Sequence, residues 1–385
     1  MADVALVAGY VVRCPLAGYA WQALHFLTGL RALGFDPYFY EDTAYYPDCF
    51  DPITGEMGPP QPAAIGFAQA FFAEHGFGDR WIFWDAQRDR HSGLGRDSAR
   101  AALADCRLLV GLATVNRLPR GVGKRRVFVD LDPGVTQIQA ERDASLAALL
   151  DEYDVHFTIG ENIGRPECAV PSGRWTWHPT RQPIDLSLWA ARAPLPDAPF
   201  TTIGRWDERR RGQRLGDAEY SWSKRDEWLR FLALPTLTGA RFELAMDIEK
   251  NPADRARLVQ DGWGIVDPLM VSTDADRYRD YIGRSRGEFS VAKDLNVRLA
   301  TGWFSDRSAS YLAAARPVIV QDTGFRTVLP TGAGLFAFRT VEEAADAVVS
   351  VTANWAVHSA AARRIAEQHF AAKWVLAGLL DRAGV

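Results

Sequence analysis

Apolar residues in this chain come in short runs closed by polar or glycine-rich turns, and stretches with helical spacing lie between the runs. Residues 4–12, VALVAGYVV, predict a first β-strand, since an unbroken apolar run of that length suits a strand covered on both faces. A loop at residues 13–18 (RCPLAG) follows. Ala20, Leu24, Leu27, Leu30 and Leu33 then keep helical intervals, and Gly34 supplies the stop. Residues 35–40 predict the next strand, which ends in Glu41-Asp42. Further strands are expected at 81–84, 104–115, 126–132 and 155–160, with helices at 67–76 and 141–154 between them. The second half repeats the alternation. Strands fall at 200–206, 241–246, 262–268, 287–293, 317–321 and 334–338, and helices at 224–234, 274–285 and 308–315. Two helices, 340–351 and 358–384, close the chain.

Steady strand–helix alternation is the mark of α/β folds with parallel sheets and helices on both faces. The opening strand–loop–helix–strand order is Rossmann-like, although the loop at 13–18 carries no G-x-G-x-x-G dinucleotide fingerprint. Two segments break the rhythm. Residues 43–66, rich in Pro, Gly and Tyr, predict an irregular insertion, and residues 164–198, studded with prolines and holding Trp175, Trp177 and Trp189, predict an interdomain connection. The division is therefore into domains at 1–190 and 195–358.

A length of 385 residues suits two domains, each able to bury its own core. The net charge of −4 gives no electrostatic footprint for nucleic acid, so no nucleic-acid partner is expected. No apolar run is long enough to span a bilayer, and the N-terminus lacks the basic region of a signal peptide; the expectation is a cytoplasmic protein. Four well-separated cysteines form no CxxC pair and read as buried thiols. Nothing in the pattern bears on oligomeric state.

The chemistry concentrates in residues 284–325, where a strand ends in Lys293, the loop GWFSDRS opens a helix, and PVIVQ leads to the turn Asp322-Thr323-Gly324. Ser305, Asp306 and Ser308 suit a helix N-cap. Ligands in open α/β sheets bind beyond the carboxyl ends of the strands, so these loops predict a nucleotide-diphosphate site. The helix start and Arg307 would hold phosphate, and Asp306 would hold ribose or sugar hydroxyls. Gln321, Asp322 and Thr323 either bind the donor sugar or shape the turn with Gly324.

The block GWFSDRS…RPVIVQDTGF resembles the donor-site half of GT-B glycosyltransferases. Many retaining members of that superfamily carry a Glu before a Gly-Lys-Pro-type stop; this chain has Ser310 near that register and Asp306-Arg307 instead. The resemblance implies a GT-B fold, with two Rossmann-like doubly wound domains facing a cleft and a last helix, about 360–385, crossing back onto the first domain. It implies transfer of a sugar from a UDP-, dTDP- or GDP-sugar to an acceptor such as a specialised metabolite. No resident metal or cofactor is implied, the nucleotide sugar being a co-substrate. Metal-free transfer needs cations beside the departing diphosphate, and Lys293, Lys224 and the Gly204-Arg205 turn are the candidates. Arg13 and Gly18 in the first loop would face the acceptor, and Trp177 and His178 would stack on it. Asp132 is the preferred base for an inverting reaction, with Asp130 and Glu161 behind it. The alternatives are a non-hydrolysing nucleotide-sugar epimerase or phosphorylase on the same fold, and a non-catalytic nucleotide-sugar-binding protein.

Overall fold

The structure is a computed structural model that describes residues 2–118, 121–193, 197–208 and 211–385. Pro194, Leu195 and Pro196 of the expected connection, where the second domain was expected to begin, and Arg209 and Arg210 lie outside these residues.

Two parallel sheets organise the chain. The first runs, edge to edge, through Trp177–Pro179, Val155–Thr158, Arg125–Asp130, Cys106–Leu112, Val4–Ala8, Asp36–Asp42 and Trp81–Asp85, and closes with the antiparallel strand Arg90–Gly93. The second runs through Trp263–Val266, Phe242–Met246, Phe200–Gly204, Gly287–Ser290, Val318–Gln321 and Leu335–Phe338, with every pairing parallel. Counting parallel strands in chain order, both sheets share the order 3-2-1-4-5-6, to which the first adds a seventh. That is the doubly wound Rossmann arrangement expected from the pattern, present twice, and the chain has the GT-B fold that the resemblance implied.

The central strands are buried on both faces: Ala5, Leu6 and Val7 are fully enclosed, as are Val127, Phe128 and Val129. This explains their continuous rather than alternating apolar character. The first strand is shorter than expected, ending at Ala8; residues beyond it peel away from the ladder. Residues 43–66 are not wholly irregular, because Cys49–Asp51 and Glu56–Gly58 pair as a hairpin. The Pro-rich segment also contributes an edge strand, Trp177–Pro179, to the first sheet. In the second half, a hairpin of Gln213–Leu215 and Ala218–Tyr220 interrupts the connection after Phe200–Gly204.

The expected long final helix is two helices, Trp355–His369 and Ala372–Ala383, broken at Phe370-Ala371. The last packs on the first helix, Ala17–Ala32, of the opposite domain. Gly29 makes that approach possible, since a Cβ there would lie 2.5 Å from Leu376 Cδ1. Leu376 and Leu379 are buried in this contact, contributing about 1.5–3 kcal/mol each. Among the described residues, no helix is long and apolar enough to cross a membrane.

Candidate active site in the interdomain cleft

The strand order fixes where a site can form. In each sheet, connections leave the first and fourth strands in opposite directions, opening a crevice at their carboxyl ends. The loops after Val4–Ala8 and Cys106–Leu112 form one crevice, and those after Phe200–Gly204 and Gly287–Ser290 form the other. The domains meet at a seam beside them. Gly160 and Trp303 form an isolated bridge, and Asn162 Nδ2 donates to the Ala300 and Gly324 carbonyls at 3.0 and 3.2 Å.

The second domain's crevice is cationic. Arg205 and Lys293 share one carboxylate, with Glu208 oxygens 3.6 and 3.5 Å from their nitrogens. Lys293 sits three residues beyond its strand, as the N-cap of the short helix Asp294–Arg298, with Nζ 3.4 Å from the centre of the Trp222 ring. Burial lowers its pKa to about 8, against the opposing pull of Glu208 and Asp132. Lys224 is buried 5.8 Å from the Trp303 ring. Burial first, then the like charges of Arg307 and Lys293, push its pKa well down. Gly204 ends its strand with room for a Cβ, which would meet Met246 and Arg307 at ordinary contact distance.

The helix expected to bind phosphate spans Asp306–Ala313, two residues ahead of its expected start, and is capped by the Ser305 hydroxyl, which accepts from Arg307 N at 3.3 Å. Burial raises the pKa of Asp306, whose carboxylate accepts from Ser305 Oγ at 3.2 Å. Ser308 is buried beside the capping turn. The crevice between this turn and Ser290, Trp303 and Gln321 encloses ≈ 10 Å³, room for about one water molecule. A larger cavity of ≈ 630 Å³ lies next to it, lined by Gln213, Tyr220, Ser221, Ser223, Asp226 and Asp294. That volume is within the range of small-molecule sites.

Several expected ligand contacts are committed elsewhere. Arg307 was expected to neutralise diphosphate, yet its guanidinium donates to Glu288 at 2.6 Å, the Ile203 carbonyl at 2.7 Å and Ser290 Oγ at 3.1 Å. Fully buried Glu288 needs that partner, so Arg307 braces three elements from within. Gln321 accepts from Ala292 N and donates to Glu227. Asp322 takes the turn-forming alternative: it accepts from Gly324 N at 2.8 Å and pairs with Arg326 and Arg339 at 3.1 and 2.9 Å. Thr323 Oγ1 donates to the Trp303 carbonyl. Gly324, at φ 93°, is held against Asn162 where a Cβ would lie 2.6 Å from Nδ2.

On the first-domain side, Asp132 does face the cleft. Its carboxylate accepts from Arg211 Nη2 of the second domain at 2.6 Å, and Arg211 also lies over Trp222 at 5.1 Å. The Tyr10 and Tyr19 rings pack 4.7 Å apart beside it. Burial raises both hydroxyl pKa values, and the charge of Asp132 acts on both in the same sense. Asp130 is a structural knot: fully buried, it accepts from Thr136, Gln137 and Thr158 at 2.7–2.8 Å. Glu161 is not free to act as a base, because Arg181 binds both its oxygens at 2.6 and 3.2 Å. Arg13 donates to the carbonyls of Tyr46, Asp48 and Val115, pinning the inserted hairpin rather than facing an acceptor. Gly18 lies in the first helical turn near Tyr278 of the other domain. Trp177 is core, packed edge-on against Phe128 and His156, and His178 packs on Phe157 at 5.6 Å.

Sequence reading passed over Tyr10, Tyr19, Glu208, Arg211 and Trp222. A glycine at position 9 signals an early strand end and could have exposed Tyr10; Glu208 and Arg211 needed the sheet order.

No family model matches this chain, and no curated protein matches it in sequence. Solved structures do match in fold over nearly the whole chain. An alpha-glucosyltransferase in complex with UDP superposes with a TM-score of 0.62 at 10% identity, covering 99% of both chains. AviGT4, a glycosyltransferase involved in avilamycin A biosynthesis, gives 0.54 at 10% identity, covering 99% of this chain and 96% of its own. Anabaena HepE in complex with UDP and glucose gives 0.52 at 9% identity over 98% of this chain and 99% of its own. At these identities the likeness establishes the architecture, that of GT-B glycosyltransferases.

Proposed function

We propose that this protein is a glycosyltransferase that moves a sugar from a UDP-sugar to a small-molecule or glycan acceptor. The observation that carries the reading is the convergence of Arg205, Lys293 and Lys224 on the second domain's switch point, with one carboxylate, Glu208, shared by two of them. Three cations gathered at one switch point suit an anion, and a diphosphate between them and the opposite domain fits. The choice of UDP rests on fold neighbours whose structures hold UDP.

In this reading, Lys293 and Arg205 stabilise the charge that develops on the departing diphosphate, the part of the reaction where fixed cations contribute most. Lys224 adds positive charge once the diphosphate arrives and offsets the repulsion of its neighbours. Asp132 and the two tyrosines line the acceptor side. Asp132 takes the acceptor hydroxyl proton, released from Arg211 as the acceptor enters. Transfer then needs no divalent ion, and EDTA leaves the rate unchanged. Some fold neighbours bind DNA; the net charge of −4 favours a small-molecule or glycan acceptor for this chain.

The test is thermal unfolding with UDP, dTDP, GDP and ADP, for the parent protein and for Lys293→Ala. UDP at about 100 times its Kd adds about 2.7 kcal/mol of stability. Selective stabilisation by UDP, lost in the variant, supports the reading; equal indifference to all four nucleotides overturns it.

A further inference from the structure

In dinucleotide-binding sheets of this topology, the loop after the first strand turns backbone N–H groups toward a pyrophosphate, and an acid at the end of the second strand reads the ribose. The first domain keeps both pieces and joins them to each other. Glu41 is the next-to-last residue of strand Asp36–Asp42, and its carboxylate turns onto the loop beyond Val4–Ala8. Val11 and Val12 donate their N–H groups to Oε2 at 2.7 and 2.8 Å, and Arg13 donates to Oε1 at 2.6 Å. Three successive amides converging on one anion form a nest of the kind that elsewhere holds phosphate.

The nest is built for charge. Glu41 is fully buried, and burial raises its pKa to about 7 while the three amides pull it back down. The Arg13 guanidinium turns away to carbonyls of the inserted hairpin and the loop after Cys106–Leu112. Among the described residues, the carboxylate is thus met by backbone alone within hydrogen-bonding distance. On either side of the nest stand the groups that face the cleft: Tyr10 precedes it, and Cys14 and Tyr19 follow.

We propose that Glu41 is an internal stand-in for phosphate, closing the first domain's own anion site and fixing the loop that presents Tyr10 and Tyr19 to the acceptor. It is a positioning residue, since it reaches neither substrate. Its catalytic consequence rests on the transferase reading above; its occupation of an anion site does not.

Glu41→Ala empties the nest and leaves room for a small carboxylate. Melting temperature is compared with sodium formate and with sodium chloride at equal ionic strength. The variant melts below the parent, and formate raises it where chloride does not, with no such difference for the parent. UDP still stabilises the variant, because Arg205 and Lys293 are untouched. Transfer falls about 100-fold, the scale expected when a misplaced loop disturbs reacting geometry. The loss appears in kcat with donor KM unchanged, and formate restores part of it.

Formate and chloride acting alike on the variant overturns the proposal. Formate rescue of melting, with no transfer by the parent, sinks the transferase reading and leaves the nest standing. Should Glu41→Ala not fold, Glu41→Gln carries the test: it keeps one acceptor oxygen and sets an amide N–H₂ against a backbone donor. Its kcat falls with donor KM unchanged, and a parent-like kcat overturns the proposal.

Discussion

The two domains share one strand order and differ at the point where that order creates a binding crevice. In the first domain the crevice is satisfied from within. Glu41 takes the N–H groups of Val11, Val12 and Arg13, and Asn116 donates to the Gly9 carbonyl at 2.7 Å. In the second, among the described residues, Glu208 is the carboxylate that Arg205 and Lys293 share, and Lys224 is buried beside Arg307 and Lys293, with the charges of Glu288 and Asp306 opposing theirs. One fold has thus made one crevice whose amides are met from within and another that gathers cations. The difference lies in side chains at strand ends, and in the proposed function it corresponds to a fixed loop on one side of the cleft and leaving-group chemistry on the other.

The sharpest way to break this comparison is to remove charge from the second crevice. Lys293→Ala should lower transfer by about 10²–10³, the usual loss when one preorganised stabilising group is deleted. Asp132→Asn, on the side of the fixed loop, should abolish transfer while leaving the UDP-induced melting shift intact. Equal loss of UDP binding in both variants would mean that the two sides do not divide the work.

A second test concerns the seam that holds the crevices face to face. Arg181 joins Glu161 to the His369 ring at 3.0 Å and to the Val328 carbonyl at 3.0 Å. Removing it leaves a largely buried carboxylate without its partner. Arg181→Ala should cost about 2–3 kcal/mol, given that bonds to charged groups run at 1.5–3. Urea unfolding measures this, and a change below about 0.5 kcal/mol, the scale of an indifferent surface substitution, would show the seam to be dispensable.

The cationic crevice also carries a pH dependence. Lys293 has its pKa lowered to about 8 by burial, and a diphosphate binds the charged form. UDP affinity is therefore full below about pH 8 and falls as pH rises through that value, by up to about tenfold per unit. Lys293→Arg keeps its charge throughout and should flatten the profile. A profile that is flat in the parent would remove Lys293 from the diphosphate site.

The architecture was legible because parallel strands buried on both faces are continuous apolar runs. Six runs in the second half correspond to the six strands of its sheet. The one parallel strand that escaped, Trp177–Pro179, is three residues long at a sheet edge and sits among prolines. The positions of Arg205 and Lys293 beyond strand ends and of Lys224 at a helix start were legible in a chain of only five lysines; their part in binding a diphosphate is the proposal above. Arg307, Gln321 and Asp322 have the right residue types at a strand or helix end. Their partners Glu288, Glu227 and Arg339 come from elsewhere in the chain, and only the folded arrangement shows that their polar groups are already taken. Arg211–Asp132 joins residues 79 apart across the cleft, a pairing no local pattern encodes.

The smallest expected effect concerns the two glycines assigned to the donor site. Gly324 holds φ 93° with Asn162 Nδ2 2.6 Å from where a Cβ would stand, so a side chain there strains the backbone and forces the seam apart. Among the described residues, a Cβ on Gly204 would meet only Met246 Cε at 3.7 Å and Arg307 Nη1 at 3.8 Å, ordinary contacts for an added methyl group. Gly204→Ala should therefore change stability by no more than about 0.5 kcal/mol, as a substitution that creates neither clash nor cavity does. UDP affinity is the more telling measurement. Unchanged affinity places the diphosphate away from the strand end, held by the long side chains of Arg205 and Lys293. A tenfold loss with stability intact would mean that the phosphate lies on the Gly204 backbone itself, as the resemblance implied, and that the crevice recognises its ligand by close approach as well as by charge.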